Sequence, residues 1–291
     1  MLMKHNMHLV VGKSKTRYLV EVDDEDIIMQ AAIDIIRGKD PIYVGDFVDV
    51  DMDSRQVVKV FPRTNFLIRP PVANIDQVLV VMSLVEPDFS LLLVEKFLAY
   101  AQFARVKPMI VLTKKDKVKD PQTLLTVEAL LTTLKIDFYI ISNFSTEDIK
   151  PIIDLIKGKK TALMGQTGVG KSTLINALFP DFVREVGEYS FKLGRGKHTT
   201  KEIIMLKTQF GYIVDTPGFS SFELPMIKSE LAENYPGFTP YLGKCYFNDC
   251  IHVSEHRCAV KHAVAIGELR HETYENYVKI SQELKTKRED Y

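Results

Sequence analysis

Residues 165–173 read GQTGVGKST. The stretch matches G-x-x-x-x-G-K-[ST] in full through Gly165, Gln166, Thr167, Gly168, Val169, Gly170, Lys171 and Ser172, with Thr173 next. The apolar run 161–164 before it predicts a short buried strand, and residues 174–178 predict the first turns of a helix ended by Pro180. Strand, glycine loop and helix in that order turn successive backbone N–H groups and a helix N-terminus toward one anion, a diphosphate or triphosphate. Lys171 adds a mobile positive charge for the terminal phosphates, and the Ser172 hydroxyl can ligate the Mg2+ that accompanies them.

A phosphate loop does not name a base, and the tetrad Thr113, Lys114, Lys115, Asp116 supplies the reader. It closes the apolar run 108–112, which places it at the carboxyl end of a strand, where ligands of open α/β sheets collect. An ionised aspartate only accepts hydrogen bonds, so Asp116 suits the N1–H and 2-amino donors of guanine. Adenine offers an acceptor at N1 and leaves the carboxylate facing a lone pair. The implied ligands are GTP and GDP.

The third element is Asp215, Thr216, Pro217, Gly218, after the apolar run 212–214. Asp215 is placed to hold Mg2+ through a water, and the Gly218 N–H to sense the terminal phosphate. Ras-like enzymes carry a water-orienting glutamine after this glycine; here the residue is Phe219, which cannot align a water. The expectation is slow hydrolysis by the isolated protein, with another side chain or a partner completing the site.

The base reader comes first, at 113–116, then the phosphate loop, then Asp215. In the usual GTPase chain the base reader comes last, so the order is circularly permuted, which a compact domain tolerates when its natural termini lie close together. On these motifs, on residues 69–77 (RPPVANIDQ) and on a cysteine cluster, the chain resembles the RsgA family of bacterial GTPases, also called YjeQ or YloQ, over nearly its whole length. The resemblance implies GTP hydrolysis stimulated by the 30S ribosomal subunit during its late maturation, with nucleotide state controlling binding to the subunit and its 16S rRNA. It also implies that Ser142 and Asn143 stand where the family has a Ser-Ala pair whose backbone N–H meets the guanine oxygen. Asn143 departs from that pair, but a backbone contact tolerates the change. Residues 194–200 resemble the family's first switch: Thr199 or Thr200 is expected to reach Mg2+, and His198 to orient or deprotonate the attacking water in place of the missing glutamine.

The 38 basic and 38 acidic side chains cancel, so composition alone does not mark a nucleic-acid binder. No apolar run approaches the roughly 20 residues that cross a membrane, and the N-terminus lacks the apolar core of a secretion signal. A cytoplasmic monomer without a membrane partner is expected. Residues 1–65 carry short alternating runs at 8–11, 17–22, 45–50 and 56–61, which predict a small antiparallel barrel, an OB-fold by pattern and by resemblance alike. Its loop Lys13-Ser14-Lys15-Thr16-Arg17 is the expected rRNA contact. Residues 66–222 alternate strand-like and helix-like stretches, a mainly parallel sheet covered on both faces and the permuted GTPase domain. Residues 223–291 form the third predicted part, helical and zinc-binding.

All three cysteines lie there, Cys245, Cys250 and Cys258, with His252 between them in the spacing C-x4-C-x-H-x5-C. Three thiolates and an imidazole make a closed tetrahedral set, typical of structural zinc rather than catalytic zinc; His256 and His262 are alternative fourth ligands. A disulfide would leave one thiol over. A final helix is predicted from 268 to about 288, with Leu269, Tyr277, Ile280 and Leu284 on one face.

Overall fold

The computed structural model describes residues 7–38, 41–180, 203–215 and 222–286. The chain forms two compact units, one of Met1–Leu79, Ser142–Met164 and Gly170–Gly218, the other of Val80–Ile141, Gly165–Val169 and Phe219–Tyr291.

Five strands open the first unit: β1 (His8–Ser14), β2 (Arg17–Val22), β3 (Glu25–Ala31), β4 (Phe47–Asp51) and β5 (Gln56–Val60), with a short helix α1 (Ile33–Arg37) after β3. They close into a barrel in the order β1-β2-β3-β5-β4, antiparallel except where β3 meets β5. Alternation decides which side chains face inward, and Val10, Val20, Met29, Val48 and Val57 fill the core. The expected barrel is therefore present, with the basic loop at the β1–β2 turn. A hairpin of β6 (Phe66–Ile68) and β7 (Pro71–Ala73) follows it. Asn74 ties this hairpin to the barrel, donating to Gly45 O at 2.9 Å and accepting from Thr64 N–H at 2.8 Å.

Beyond it the chain alternates as predicted: β8 (Gln77–Ser83), α2 (Leu91–Phe103), β9 (Lys107–Thr113), α3 (Pro121–Thr133), β10 (Phe138–Ile140), α4 (Thr146–Ile156), β11 (Lys160–Met164), α5 (Lys171–Leu178), β12 (Met205–Lys207) and β13 (Tyr212–Asp215). In the first unit β11 lies parallel to β13, Ala162 opposite Val214, and β12 antiparallel to it. Thr161 through Met164 are buried, as a strand covered on both faces requires. The barrel meets this part through Lys207, which reaches Glu21 at 3.0 Å and Asp24 at 2.6 Å, and through Tyr212 OH, which donates to Glu21.

The second unit contains β9 parallel to β10, and three later helices, α6 (Lys228–Asn234), α7 (Ala259–Ala265) and α8 (His271–Glu283). The Ser90 side chain caps α2 by accepting from Leu93 N–H, and α2 is buried almost all round. Among its buried residues is Glu95, whose Oε2 accepts from Tyr235 OH at 2.9 Å and Asn276 Nδ2 at 2.8 Å, while Oε1 has no partner among the described residues. Burial pushes this carboxyl up to about 7 from an ordinary 4.5. A raised carboxyl pKa means that folding favours the neutral form. The stability it carries is present below the unfolded pKa and lost as pH rises through about 7. Between about pH 4 and pH 8 the wild type should thus lose about 3 kcal/mol relative to Glu95→Gln. Denaturant melts of both proteins at the two pH values test this, and a constant difference would show that the ionised form carries no penalty.

Candidate nucleotide and metal sites

In the second unit β9 ends at Thr113, and the chain turns there because Lys114 adopts φ 62°. A 3-10 turn over Lys115–Lys117 follows, with Asp116 exposed at its centre. Two of the tetrad's other three side chains go to the phosphate loop. The Thr113 hydroxyl donates to the Val169 carbonyl and lies 3.2 Å from Met82 O. Lys114 Nζ donates to Gly168 O at 2.8 Å and to Glu86 O. The Glu86 carboxylate meets Lys117 at 2.8 Å in an exposed ion pair. Gly165 is needed where the loop leaves its strand: a Cβ there would stand 2.1 Å from Val81 O.

In the first unit Gly170 holds a left-handed conformation, φ 96°, and sets the start of α5. Lys171 is the first helical residue and is buried, while Ser172 and Thr173 are exposed in the first turn. The Leu174 N–H closes on Gly170 O at 2.8 Å, so the amides before it have no acceptor within the helix. The segment after β10 is arranged by its own hydrogen bonds. Ser142 N–H donates to Asp148 Oδ2 at 2.8 Å, Phe144 N–H to Ser142 Oγ at 3.3 Å, and Ser145 N–H to Ser142 O at 3.1 Å. Among these four consecutive amides, that of Asn143 has no partner among the described residues. The Asn143 side chain donates from Nδ2 to Gly170 O at 3.2 Å, tying the segment to the phosphate loop, and its Oδ1 is buried without a partner. Asp215 ends β13, paired with Leu163 of β11. His198, Thr199, Thr200 and Gly218 lie outside the described residues.

The second unit also gathers Cys245, Cys250, His252 and Cys258, whose ligand atoms all lie within 4.8 Å of one another. His252 Nδ1 stands 3.5, 3.4 and 3.4 Å from the sulfurs of Cys245, Cys250 and Cys258, and the Cys245 and Cys258 sulfurs are 3.9 Å apart. A tetrahedral ion with metal–sulfur bonds of about 2.3 Å and a metal–nitrogen bond of about 2.0 Å separates its ligands by about 3.5–3.8 Å. The group therefore fits one metal ion, with Nδ1 as the histidine ligand; His256 and His262 are not part of it. Burial pushes the Cys250 thiol up to about 12 and raises that of Cys258, so a bound cation would be needed to make thiolates of them. The loop is braced from within and from outside. The Glu255 carboxylate accepts from Ile251 N–H at 2.8 Å and Val253 N–H at 2.9 Å, Tyr274 OH donates to His252 O at 3.0 Å, and Tyr277 OH donates to Ile251 O.

Comparison with known proteins decides the family. The family described as RsgA GTPase matches residues 60–225. The chain belongs to the RsgA GTPase family. Curated RsgA relatives include the small ribosomal subunit biogenesis GTPase RsgA of Streptococcus pyogenes serotype M3, 38% identical over 88% of this chain and 87% of the relative. That of Bacillus subtilis strain 168 is 36% identical over 94% of this chain and 95% of the relative. Among solved structures, YjeQ from Thermotoga maritima matches with a TM-score of 0.79 at 32% identity, over 97% of this chain and 99% of that one. YloQ, a circularly permuted GTPase, matches with 0.76 at 32% identity over the whole of both chains.

Two residues that arrange these loops differ in how far the sequence signals them. Asp148, which fixes Ser142, sits in Ser145-Thr146-Glu147-Asp148, the [ST]-x-x-[DE] pattern of a helix start, and that pattern was available as a signal. Glu255 had none: a carboxylate that accepts from its own loop's amides looks in sequence like any solvated acid.

Proposed function

We propose that the chain hydrolyses GTP to GDP and phosphate with Mg2+, and that nucleotide state controls its docking on the 30S ribosomal subunit and 16S rRNA late in subunit maturation. One observation carries the nucleotide reading. Thr113 and Lys114 both bond to carbonyls of the phosphate loop, which supports reading the tetrad and that loop as one ligand site with the exposed Asp116 as the base reader. Ser142 and Asn143 complete the base end, with the Asn143 N–H for the guanine oxygen. Gly165, Gln166, Thr167, Gly168, Val169, Gly170, Lys171, Ser172 and Thr173 take the phosphates; Ser172 and Asp215 hold Mg2+; Thr199 or Thr200 and Gly218 respond to the terminal phosphate; His198 acts on water. The Cys3His ion is zinc and structural, because four protein ligands leave no open position.

The proposed division is a barrel at 1–65 that contacts RNA, a GTPase domain at 66–222 and a zinc domain at 223–291. The protein acts as a cytoplasmic monomer, and among the described residues no helix is long and apolar enough to cross a membrane. The names of the relatives support the ribosomal part. Phosphate release from GTP, with ATP as control, by the zinc-loaded protein with and without small ribosomal subunits tests the proposal. Strong stimulation by the subunit with ATP inert is expected, and His198→Ala should remove most of that stimulation with GTP affinity nearly intact. Equal turnover with and without subunits would reject the ribosomal switch.

A further inference from the structure

We infer that the tetrad leaves the purine N7 unread, so that guanine nucleotides altered at N7 bind as tightly as GDP. The inference rests on the reading of Asp116 as the guanine reader. Guanine offers two different edges. Its N1–H and 2-amino groups are donors suited to the Asp116 carboxylate, whereas its other edge presents O6 and N7, both acceptors. A side chain that reads N7 must therefore donate.

Thr113 heads the tetrad and is fully buried, and its hydroxyl carries a single hydrogen. That hydrogen goes to the Val169 carbonyl, with a second carbonyl, Met82 O, 3.2 Å away. Nothing is left to donate to a base. An amide at this position would carry two N–H groups and keep one spare. Lys114 sends two of its three N–H groups to Gly168 O and Glu86 O, which hold its ammonium against the phosphate loop, and the Lys115 backbone N–H donates to Ile141 O at 3.2 Å. The tetrad thus divides its tasks: Thr113 and Lys114 hold the phosphate loop, and Asp116 discriminates the base through the Watson–Crick edge.

Calorimetric titration of the full-length, metal-loaded protein with Mg2+ and GDP, 7-deaza-GDP or ADP tests this. Replacing N7 by C–H removes the acceptor and keeps the edge that Asp116 reads. Affinity for 7-deaza-GDP is expected within about twofold of that for GDP, with ADP weaker by about 100-fold or more. A loss of about tenfold for 7-deaza-GDP, with GDP still far ahead of ADP, would overturn the inference and leave the guanine reading standing. GDP binding no better than ADP would overturn both. Thr113→Val removes the hydroxyl at similar volume, and it should weaken GDP and 7-deaza-GDP by one common factor. A selective loss for GDP would show that the hydroxyl serves N7 after all. Thr113→Ser keeps the hydroxyl; it should bind both ligands alike, which separates loss of the hydroxyl from loss of the fold.

Discussion

Asp116→Asn lowers affinity for GTP by about 100-fold or more and makes xanthosine triphosphate the preferred ligand. The expectation follows from counting donors and acceptors. The carboxylate presents two acceptors to the N1–H and 2-amino group of guanine; the amide presents one acceptor and one donor. Xanthine keeps N1–H but carries a carbonyl at C2, so the amide pairs with it fully. With guanine the amide sets a donor against the 2-amino group and leaves both unpaired, at a cost of about 1–3 kcal/mol for each buried group. The structure makes this a clean substitution. Asp116 is exposed at the centre of its turn, and the neighbours that hold the loop, Thr113 and Lys114, act through the phosphate loop rather than through the carboxylate. Titration with GTP and XTP reads the result. Unchanged GTP affinity would mean that another residue reads the base.

How far such a site is legible from sequence depended on where its constraints lie. The turn over 165–170 was legible because backbone geometry there dictates residue type: Gly165 for the approach to Val81 O, Gly170 for its left-handed φ. The gathering of Cys245, Cys250, His252 and Cys258 was legible because thiols and an imidazole at short spacing have few other uses. The helices Leu91–Phe103, Pro121–Thr133 and Thr146–Ile156 fall within the predicted strand and helix alternation, and each starts at a polar side-chain cap, Ser90, Asp120 or Ser145. The last helix was expected to run to about 288, yet it spans only His271–Glu283: the apolar positions at 277, 280 and 284 fix its face but nothing in them fixes its end. β3 was not foreseen as a strand. Its turn is Asp23-Asp24 at φ 49° and 67°, a conformation usually signalled by glycine or asparagine. Asn143 shows the limit most clearly. The sequence marks it as a departure from a small residue, but its bond to Gly170 O depends on two segments far apart in the chain, and such a pairing leaves no local pattern.

Stripping the metal should have the other large effect, and it should spread beyond the four ligands. The loop from Cys245 to Cys258 has little apolar core of its own; His252 and Arg257 sit at φ 60° and 54°, in a region that non-glycine residues enter only when held there. Structural zinc contributes about 10–16 kcal/mol in small domains, comparable to the whole stability of a typical fold at about 5–15 kcal/mol. Once the ligands separate, the carbonyls of Ile251 and His252 leave Tyr277 and Tyr274, and the ring of Phe238 loses its edge contact with His252 at 5.6 Å. Tyr277 is fully buried in α8, and α8 meets α2 through Asn276 on Glu95 and Glu283 on Lys96 at 2.6 Å, so the disturbance reaches a helix more than a hundred residues earlier in the chain. Chelation, or Cys258→Ser, is therefore expected to lower the melting temperature by more than about 10 °C and to open residues 245–284 to limited proteolysis. Readdition of zinc should restore the chelated wild type but not Cys258→Ser. If protein verified to have lost its metal melts and resists proteolysis as the loaded protein does, then packing of the tyrosines holds this region and the metal does not.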